Sequence, residues 1–370
     1  MLITDREMDF LRLAGWCKSL SPALAGKIAG AQVQKALERD GFISAGKTVR
    51  LKPAGYRLLK SVGWDYPQDT KYRSDETTVK NRIDAAQIVY LHYRAGINVF
   101  ADSLPDLRHA PTYLPSFAVR RNKSLAGNVF HGSRFSGILR TLDTAYLVLN
   151  ISNAAGKMYY SSELHLFHNV VAPLNLKHFA ILCAADSYQG AYERLAIEPE
   201  NAAKPVRKND AVSYADMYRV SQLPVHIISL DDTGAKQLMI MAQEKYRARI
   251  AEAAAGTVQN APSYCDALLN SRPLVVAVDM DIKRIDKAIA AARKDGYEKI
   301  AIVALHEQFS KFLNRRYKGR AELYEITNGI VHCAFSSLGT LRSPSKTPFI
   351  TAEGRYVDVS DFYENSKAGG

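Results

Sequence analysis

The first 64 residues carry helix-start and helix-stop signals at short intervals, and this pattern constrains the fold more than any other feature of the chain. Thr4 and Glu7 match a capping box, and apolar residues then recur at helical spacing. Ser21, followed by proline, begins a second helix, and Gly30 and Gly41 end the second and third helices. The predicted bounds are about Asp5–Lys18, Pro22–Ile28 and Ala31–Asp40.

A hairpin is predicted directly after the third helix. The segments Phe42–Ile43 and Val49–Leu51 surround Ala45-Gly46-Lys47, and Pro53 begins a closing helix. The second and third helices are joined at a glycine, as the tight turn of a helix-turn-helix requires. Three short helices, a hairpin and a closing helix are the order of a winged helix-turn-helix domain, which we predict for residues 1–64.

Positive charge is concentrated in the same segment. Residues 1–64 contain eleven Lys or Arg and five Asp or Glu. Their net charge of +6 is half of the +12 that the whole chain carries. A local excess of this kind is typical of a surface that binds a polyanion. We therefore predict that the segment binds double-stranded DNA, with a basic surface that docks another protein as the alternative.

The third helix and the hairpin supply the candidate DNA-binding residues. The core pattern of the helix uses Val33, Ala36 and Leu37. The helix residues outside that pattern are Gln32, Gln34, Lys35 and Arg39. Glutamine can bond adenine in the major groove, and Lys or Arg can bond guanine or phosphate. Lys47 at the hairpin tip and Arg50 are predicted to reach backbone phosphates.

Two stretches resemble a known family. The segment ALERDGFISAGKTVRLKPAGYRLL, together with the helix start TDREMDFL, resembles the replication-relaxation family, which comprises winged-helix proteins of conjugative plasmids and integrative elements. Residues 1–65 carry most of the resemblance, and a looser similarity covers about 130–165. The resemblance implies a role in element replication, transfer or transcriptional control, and it brings no catalytic motif with it.

The rest of the chain predicts a second domain of mixed α/β class. Residues 65–76 indicate a linker, residues 77–341 an α/β domain with helical insertions, and residues 342–370 a frayed polar tail. Long helices are predicted at 78–95 and 235–254. The alternation over 157–166 predicts a strand, and Leu274–Val278 and Ile300–Val303 read as buried strands.

An enzymatic alternative rests on carboxylates in the second domain. In a degenerate restriction-nuclease-like fold, Asp143 would lie on a hairpin and Glu163 on the next strand, but the lysine that such a site needs is absent. Asp279 and Asp281 follow a buried strand and could hold Mg²⁺ for phosphoryl transfer on DNA. The simpler interpretation is that strand-end aspartates cap helices. We expect no catalytic residue, metal or cofactor, with the metal-dependent nuclease as the alternative.

Other classes of protein are disfavoured by the sequence. No apolar run reaches the roughly 18 residues that span a bilayer, and the polar N-terminus does not resemble a signal peptide. The four cysteines lack metal-ligand spacing and are expected to be buried, reduced thiols of a cytoplasmic protein. We also expect no membrane partner. Formation of a homodimer and binding of protein partners from a mobile element are further expectations.

Overall fold

The computed structural model describes residues 2–67, 76–121, 135–152, 157–196, 211–255 and 261–363. The chain is of mixed α/β class and divides into two compact units. The first unit combines Met1–Tyr90 with Arg342–Gly370, and the second is Leu91–Leu341. The sequence-based boundaries lay elsewhere, at residue 64 and residue 77, and they treated the C-terminal segment as a separate tail.

The first unit contains short helices around a small hairpin. Its elements are α1 Asp5–Cys17, α2 Pro22–Ala29, α3 Ala31–Arg39, β1 Ile43–Ser44, β2 Arg50–Leu51 and α4 Pro53–Ser61, and α5 Glu76–Arg94 begins in it. The predicted capping box is present, since Thr4 Oγ1 accepts a hydrogen bond from the Glu7 amide. Ser21 caps α2 by accepting from the Leu24 amide. Only Gly30, with φ of 79°, separates α2 from α3.

The hairpin is antiparallel and has a third backbone partner. Ile43 pairs with Leu51 across the hairpin, and the isolated residue Leu20, between α1 and α2, pairs with Val49 in the antiparallel sense. Phe10, Leu11 and other apolar side chains of α1 are fully buried beneath these elements. The hairpin is therefore joined to the connection that precedes α2 as well as to α3.

The C-terminal segment packs on the first unit and is not frayed over its described residues, so this prediction was wrong. The amides of Asp5 and Arg6 donate to the carbonyls of Thr347 and Ser345. The ring of Phe349 lies 5.6 Å from that of Trp64. The partners in these contacts are 285 to 342 positions apart in sequence, and local patterning carries no signal for such pairing.

The second unit is built on two sheets. Its strands are β3 Thr112–Pro115, β4 Phe135–Arg140, β5 Thr144–Asn150, β6 Lys157–Met158, β7 His178–Ala185, β8 Val212–Ser213, β9 Val225–Ser229, β10 Ala267–Leu269, β11 Arg272–Val276, β12 Ile300–Ala304 and β13 Ala321–Glu325. Its helices are α6 Ser116–Arg121, α7 Tyr160–Val171, α8 Tyr188–Arg194, α9 Tyr214–Val220, α10 Asp232–Met241, α11 Tyr246–Ala255, α12 Ile282–Lys294, α13 His306–Gln308, α14 Asn314–Tyr317 and α15 Asn328–Ala334.

Among the described strands, the two main sheets have the orders β3-β4-β5-β7-β9 and β10-β11-β12-β13, and β6 pairs with β8 in a separate two-stranded sheet. Neighbours from β5 to β9 are parallel, as are β11, β12 and β13. Strands of this kind are buried on both faces by crossover helices, which explains the continuous apolar runs of β7 and β12. The Ile227 amide of β9 donates to the Asp279 carbonyl beyond β11, so the two sheets meet there.

Several sequence-based predictions for this unit need correction. Residues 157–166 do not form one strand, because α7 begins at Tyr160. The helix predicted over 235–254 is two helices, α10 and α11, separated by a turn in which Lys245 has φ of 52°. The predicted helix at 78–95 is confirmed as α5, and the predicted strand near Ile300 as β12. The prolines and basic residues of 196–213 predict an exposed loop, most of which lies outside the described residues.

Two smaller expectations were also checked by the structure. Of the four cysteines, Cys17 and Cys183 are buried, but Cys265 is half-buried and Cys333 is exposed, so burial was predicted correctly for two of them. Among the described helices, none has both the length and the apolar character needed to cross a membrane.

Candidate nucleic-acid interface

All side chains of α3 except one are at least partly exposed to solvent. Leu37 is its one buried side chain, whereas Val33 and Ala36, which were predicted to face the core, are half-exposed. Gln32, Lys35 and Arg39 are exposed, as expected of candidate DNA-binding residues. A helix that stays ordered on so little burial depends on its neighbours for support, and it keeps its polar side chains available to a ligand.

The four candidate residues on α3 are not equivalent. Gln34 is half-buried, and its Nε2 donates to the Gly30 carbonyl at 3.4 Å, so it supports the α2–α3 turn. Arg39 donates from Nε to Asp40 Oδ1 at 2.8 Å, and this ion pair offsets part of its charge. Gln32 and Lys35 form no such bond within the described residues. The structure therefore leaves these two side chains as the ones best able to bind a partner.

The position of α3 against the hairpin is held by a specific contact. Glu38 Oε1 accepts a hydrogen bond from the Ala45 amide at 2.9 Å, at the start of the hairpin loop. The Phe42 amide also donates to the Leu37 carbonyl, which closes the turn after α3. The exposed face of α3 and the hairpin loop are therefore parts of one surface within the first unit.

The hairpin itself places basic side chains beside α5. Lys47 is exposed at the tip and Arg50 is half-buried, and both line a groove of about 420 Å³. Lys80 and Glu76, from the first turns of α5, line the same groove. Lys80 was missed by the sequence analysis, because helical periodicity identifies it only as an exposed residue and gives no signal that the hairpin lies beside it.

The carboxylates of the nuclease alternative are engaged separately. Asp143 lies in the β4–β5 turn, where its oxygens accept from Thr144 Oγ1 at 2.9 Å and from the Lys245 amide at 3.2 Å. Glu163 is buried in α7 and does not lie on a strand, so the predicted arrangement of hairpin aspartate and strand glutamate is wrong.

Asp279 is the centre of a buried ion cluster. Its side chain is 0% exposed, and its Oδ2 accepts from Arg247 Nε at 2.5 Å and from Tyr246 Oη at 2.8 Å, with Arg284 Nη2 at 3.6 Å. Burial alone would raise the pKa of Asp279, but the two arginines outweigh burial and hold that pKa well below its usual range. The capping interpretation is therefore wrong for Asp279, because its carboxylate forms ion pairs with two arginines.

His226 belongs to the same cluster. Its Nε2 accepts from Arg247 Nη2 at 3.3 Å, because the guanidinium can only donate. Burial, with a smaller contribution from the two neighbouring arginines, outweighs the attraction of Asp279 and lowers the pKa of His226 to about 3. The imidazole is therefore neutral at physiological pH and cannot act there as a charged group.

Two other strand-end aspartates cap helices, as the simpler interpretation predicted. Asp281 Oδ1 accepts from the Arg284 amide at the start of α12, and Asp231 Oδ1 accepts from the Gly234 amide at the start of α10. Burial, followed by the charge of Asp279, raises the pKa of Asp281. Within the described parts of the chain, no group of three or more His, Cys, Asp or Glu side chains is placed to hold a metal ion.

Comparisons with known proteins identify no relative. No family model matches the chain, and neither the curated proteins nor the solved structures contain a significant match. The similarity to the replication-relaxation family accordingly stays a prediction.

Proposed function

We propose that this protein binds double-stranded DNA through its first unit, which acts as a winged helix-turn-helix domain. The order of α1, α2, α3 and the hairpin supports the proposal, as does the third backbone pairing of Leu20 with Val49. The observation that carries it is α3, which follows a single-residue turn and buries only Leu37. A polar, exposed second helix of a helix-turn-helix is the element that enters the major groove.

The proposal gives the exposed side chains two different tasks. Gln32 and Lys35 lie on α3 and have the chemistry to contact base edges in the major groove. Lys47 and Lys80 lie on the hairpin groove and would contact phosphates, which positions the domain without reading sequence. Arg39, already paired with Asp40, would add a weaker phosphate contact.

The biological setting is proposed on the resemblance of residues 1–65 alone. A cytoplasmic DNA-binding protein of a plasmid or integrative element, acting in replication, transfer or transcriptional control, agrees with a basic N-terminal unit and a larger second unit. A nuclease is not proposed as a second function, because Asp143, Asp279 and Asp281 each have separate hydrogen-bond partners and Glu163 lies on a helix.

The full chain is expected to bind short duplexes of mixed sequence with an affinity that falls steeply as salt rises. Each phosphate contact that is lost should reduce the slope of log affinity against log salt by about 1. Lys47→Ala and Lys80→Ala should therefore weaken binding to all duplexes alike, as measured by fluorescence anisotropy over a salt series. Lys60→Ala is the matched control, because it removes an exposed charge on α4 that pairs with Asp65.

The full chain is required because residues 342–363 pair with the start of α1, so a fragment ending at residue 64 would lose those contacts. Binding that does not depend on salt, or no binding at low salt, would contradict the proposal. An equal loss in the Lys60 variant would show that general charge, and not the hairpin surface, is responsible.

Variants of α3 are expected to change sequence preference. Gln32→Ala and Lys35→Ala should each reduce discrimination between preferred and other duplexes by about 1–3 kcal/mol if the contact is bidentate. Selection from a pool of random duplexes, followed by anisotropy on the enriched sequences, measures this difference. Gln34→Ala should affect sequence preference less, because Gln34 already bonds the Gly30 carbonyl. If hairpin variants changed preference and α3 variants did not, the assumed docking would be wrong.

A further inference from the structure

A second polar cavity lies in the second unit, within residues 91–341 and apart from the residues of the proposed DNA-binding surface. Its volume is about 580 Å³, which falls within the range of roughly 300–1,000 Å³ typical of small-molecule sites. The N-terminal half of α12 forms one wall, and the segments around Leu223 and Tyr264 form others. Gln222, Ser263 and Lys287 at its rim are exposed, so solutes can enter.

Four cationic side chains line this cavity against two carboxylates. The cations are Arg247, Lys283, Arg284 and Lys287, and the carboxylates are Asp266 and Asp281. Lys283 donates to the carbonyls of Tyr218 and Ser221 and is therefore committed to holding α12 against α9. The cations left to face a ligand are therefore the two arginines and Lys287.

The two arginines are held in place from behind. Asp279, beneath the cavity, accepts from Arg247 Nε and lies 3.6 Å from Arg284 Nη2, and Asp266 Oδ2 accepts from Arg284 Nη1 at 2.8 Å. Arg284 Nη2 also donates to the Val276 carbonyl, so both terminal nitrogens of Arg284 are held by the protein. Arg247 Nη1 has no hydrogen-bond partner among the described residues and is the donor left for a ligand. The unpartnered Nε of Arg284 is buried, so Arg284 contributes its charge to the site. Arginines fixed in this way bind an anion with little loss of side-chain entropy.

Lys287 adds an uncommitted charge at the rim. It lies one turn along α12 from Arg284 and forms no ion pair or hydrogen bond with the residues that the structure describes. Asp266, Asp279 and Asp281 together supply three carboxylates against the four cations, so one positive charge remains in excess around the cavity. Guanidinium donors beside an ammonium group bind the charged oxygens of a phosphate more strongly than the uncharged oxygens of a neutral ligand.

We propose that this cavity binds a small phosphate-bearing molecule of nucleotide size, held by Arg247, Arg284 and Lys287. The site is independent of the proposed DNA-binding surface, and its occupancy would be sensed where β9 meets the segment after β11, because Asp279 lies at that junction.

The test uses the full chain and titrates inorganic pyrophosphate and ATP by isothermal calorimetry, with citrate as a polyanion that lacks phosphate. Pyrophosphate or ATP should bind and citrate should bind more weakly. Lys287→Gln should weaken phosphate binding about tenfold, the effect of losing one good charge contact. Lys294→Gln, an exposed lysine at the far end of the same helix, is the matched control and should leave affinity unchanged.

Each other outcome overturns the proposal. Failure of pyrophosphate and ATP to bind at millimolar concentration, or equal binding of citrate, would exclude a phosphate site. An equal loss in the Lys294 variant would indicate general attraction to a basic surface. Lys287→Gln should leave duplex affinity unchanged, and a parallel loss of duplex and pyrophosphate binding would make the cavity part of a nucleic-acid surface. Loss of duplex binding by α3 and hairpin variants leaves this site unaffected, so the two proposals fail separately.

Discussion

Asp279→Asn is expected to lower the free energy of unfolding by about 3–5 kcal/mol, the cost of removing one partner from a buried ion pair. Asparagine has nearly the shape of aspartate but carries no charge, so Arg247 and Arg284 would lose the carboxylate that neutralises them. Its amide group would also face guanidinium donors that need an acceptor. Chemical denaturation of the full chain measures the loss.

Asp281→Asn is the matched control two residues away. Asp281 caps α12, and asparagine is an equally good cap, so its replacement should cost at most about 1 kcal/mol. Removal of its charge also relieves repulsion with Asp279, which contributes to the raised pKa of Asp281. If both variants lost the same free energy, the buried pairing of Asp279 would not be a major source of stability.

Lowering the pH should weaken the same interaction and reduce the stability of the protein. The pKa of Asp279 is lowered by folding, so its stabilisation is complete above its unfolded value of 3.8 and is lost as pH falls below that value. His226 lowers stability at higher pH than Asp279 does. Its pKa falls from 6.5 to about 3 on burial, so as pH falls the imidazole is protonated in the unfolded chain before it is protonated in the folded chain. The protein is therefore expected to lose stability progressively below about pH 6.5.

Gly234→Ala is expected to lower the free energy of unfolding of the second unit. The loss should exceed the cost typical of overpacking, which is about 1–3 kcal/mol. Gly234 lies in the first turn of α10, and a Cβ there would stand 1.8 Å from the Ser229 carbonyl oxygen at the end of β9. The obstacle is backbone, so it cannot rotate away as a side chain would. The start of α10 would have to move, with loss of the bond from the Gly234 amide to Asp231 Oδ1.

Gly339→Ala is the control for this variant, because among the described residues no atom beyond its chain neighbours lies within 4 Å of the Cβ it would add. It should leave the unfolding free energy nearly unchanged or raise it slightly, since alanine restricts the unfolded chain. Thermal and chemical denaturation of both variants provide the comparison. Equal stability of the two would show that α10 can shift away from β9 without cost.

The sequence by itself determined the local structure of the first unit. Thr4, Ser21 and Gly30 act within three or four residues of the helix ends they define, and helix ends are set by hydrogen bonds of that range. The same holds for the capping role of Asp281 and for the apolar runs of β7 and β12. Such features depend on neighbours in the chain, so a pattern in the sequence is enough to predict them.

Only the tertiary structure decided the rest. Asp279 and Asp281 look alike in sequence, yet one is buried between two arginines and the other caps a helix, because Arg247 comes from a distant helix. The same reason explains the strand predicted over 157–166, where an alternating pattern was overridden by the packing of α7, and the C-terminal segment, which pairs with residues near the N-terminus. Burial and long-range pairing are properties of the folded chain, and the free energy that selects them comes from contacts between residues far apart in sequence.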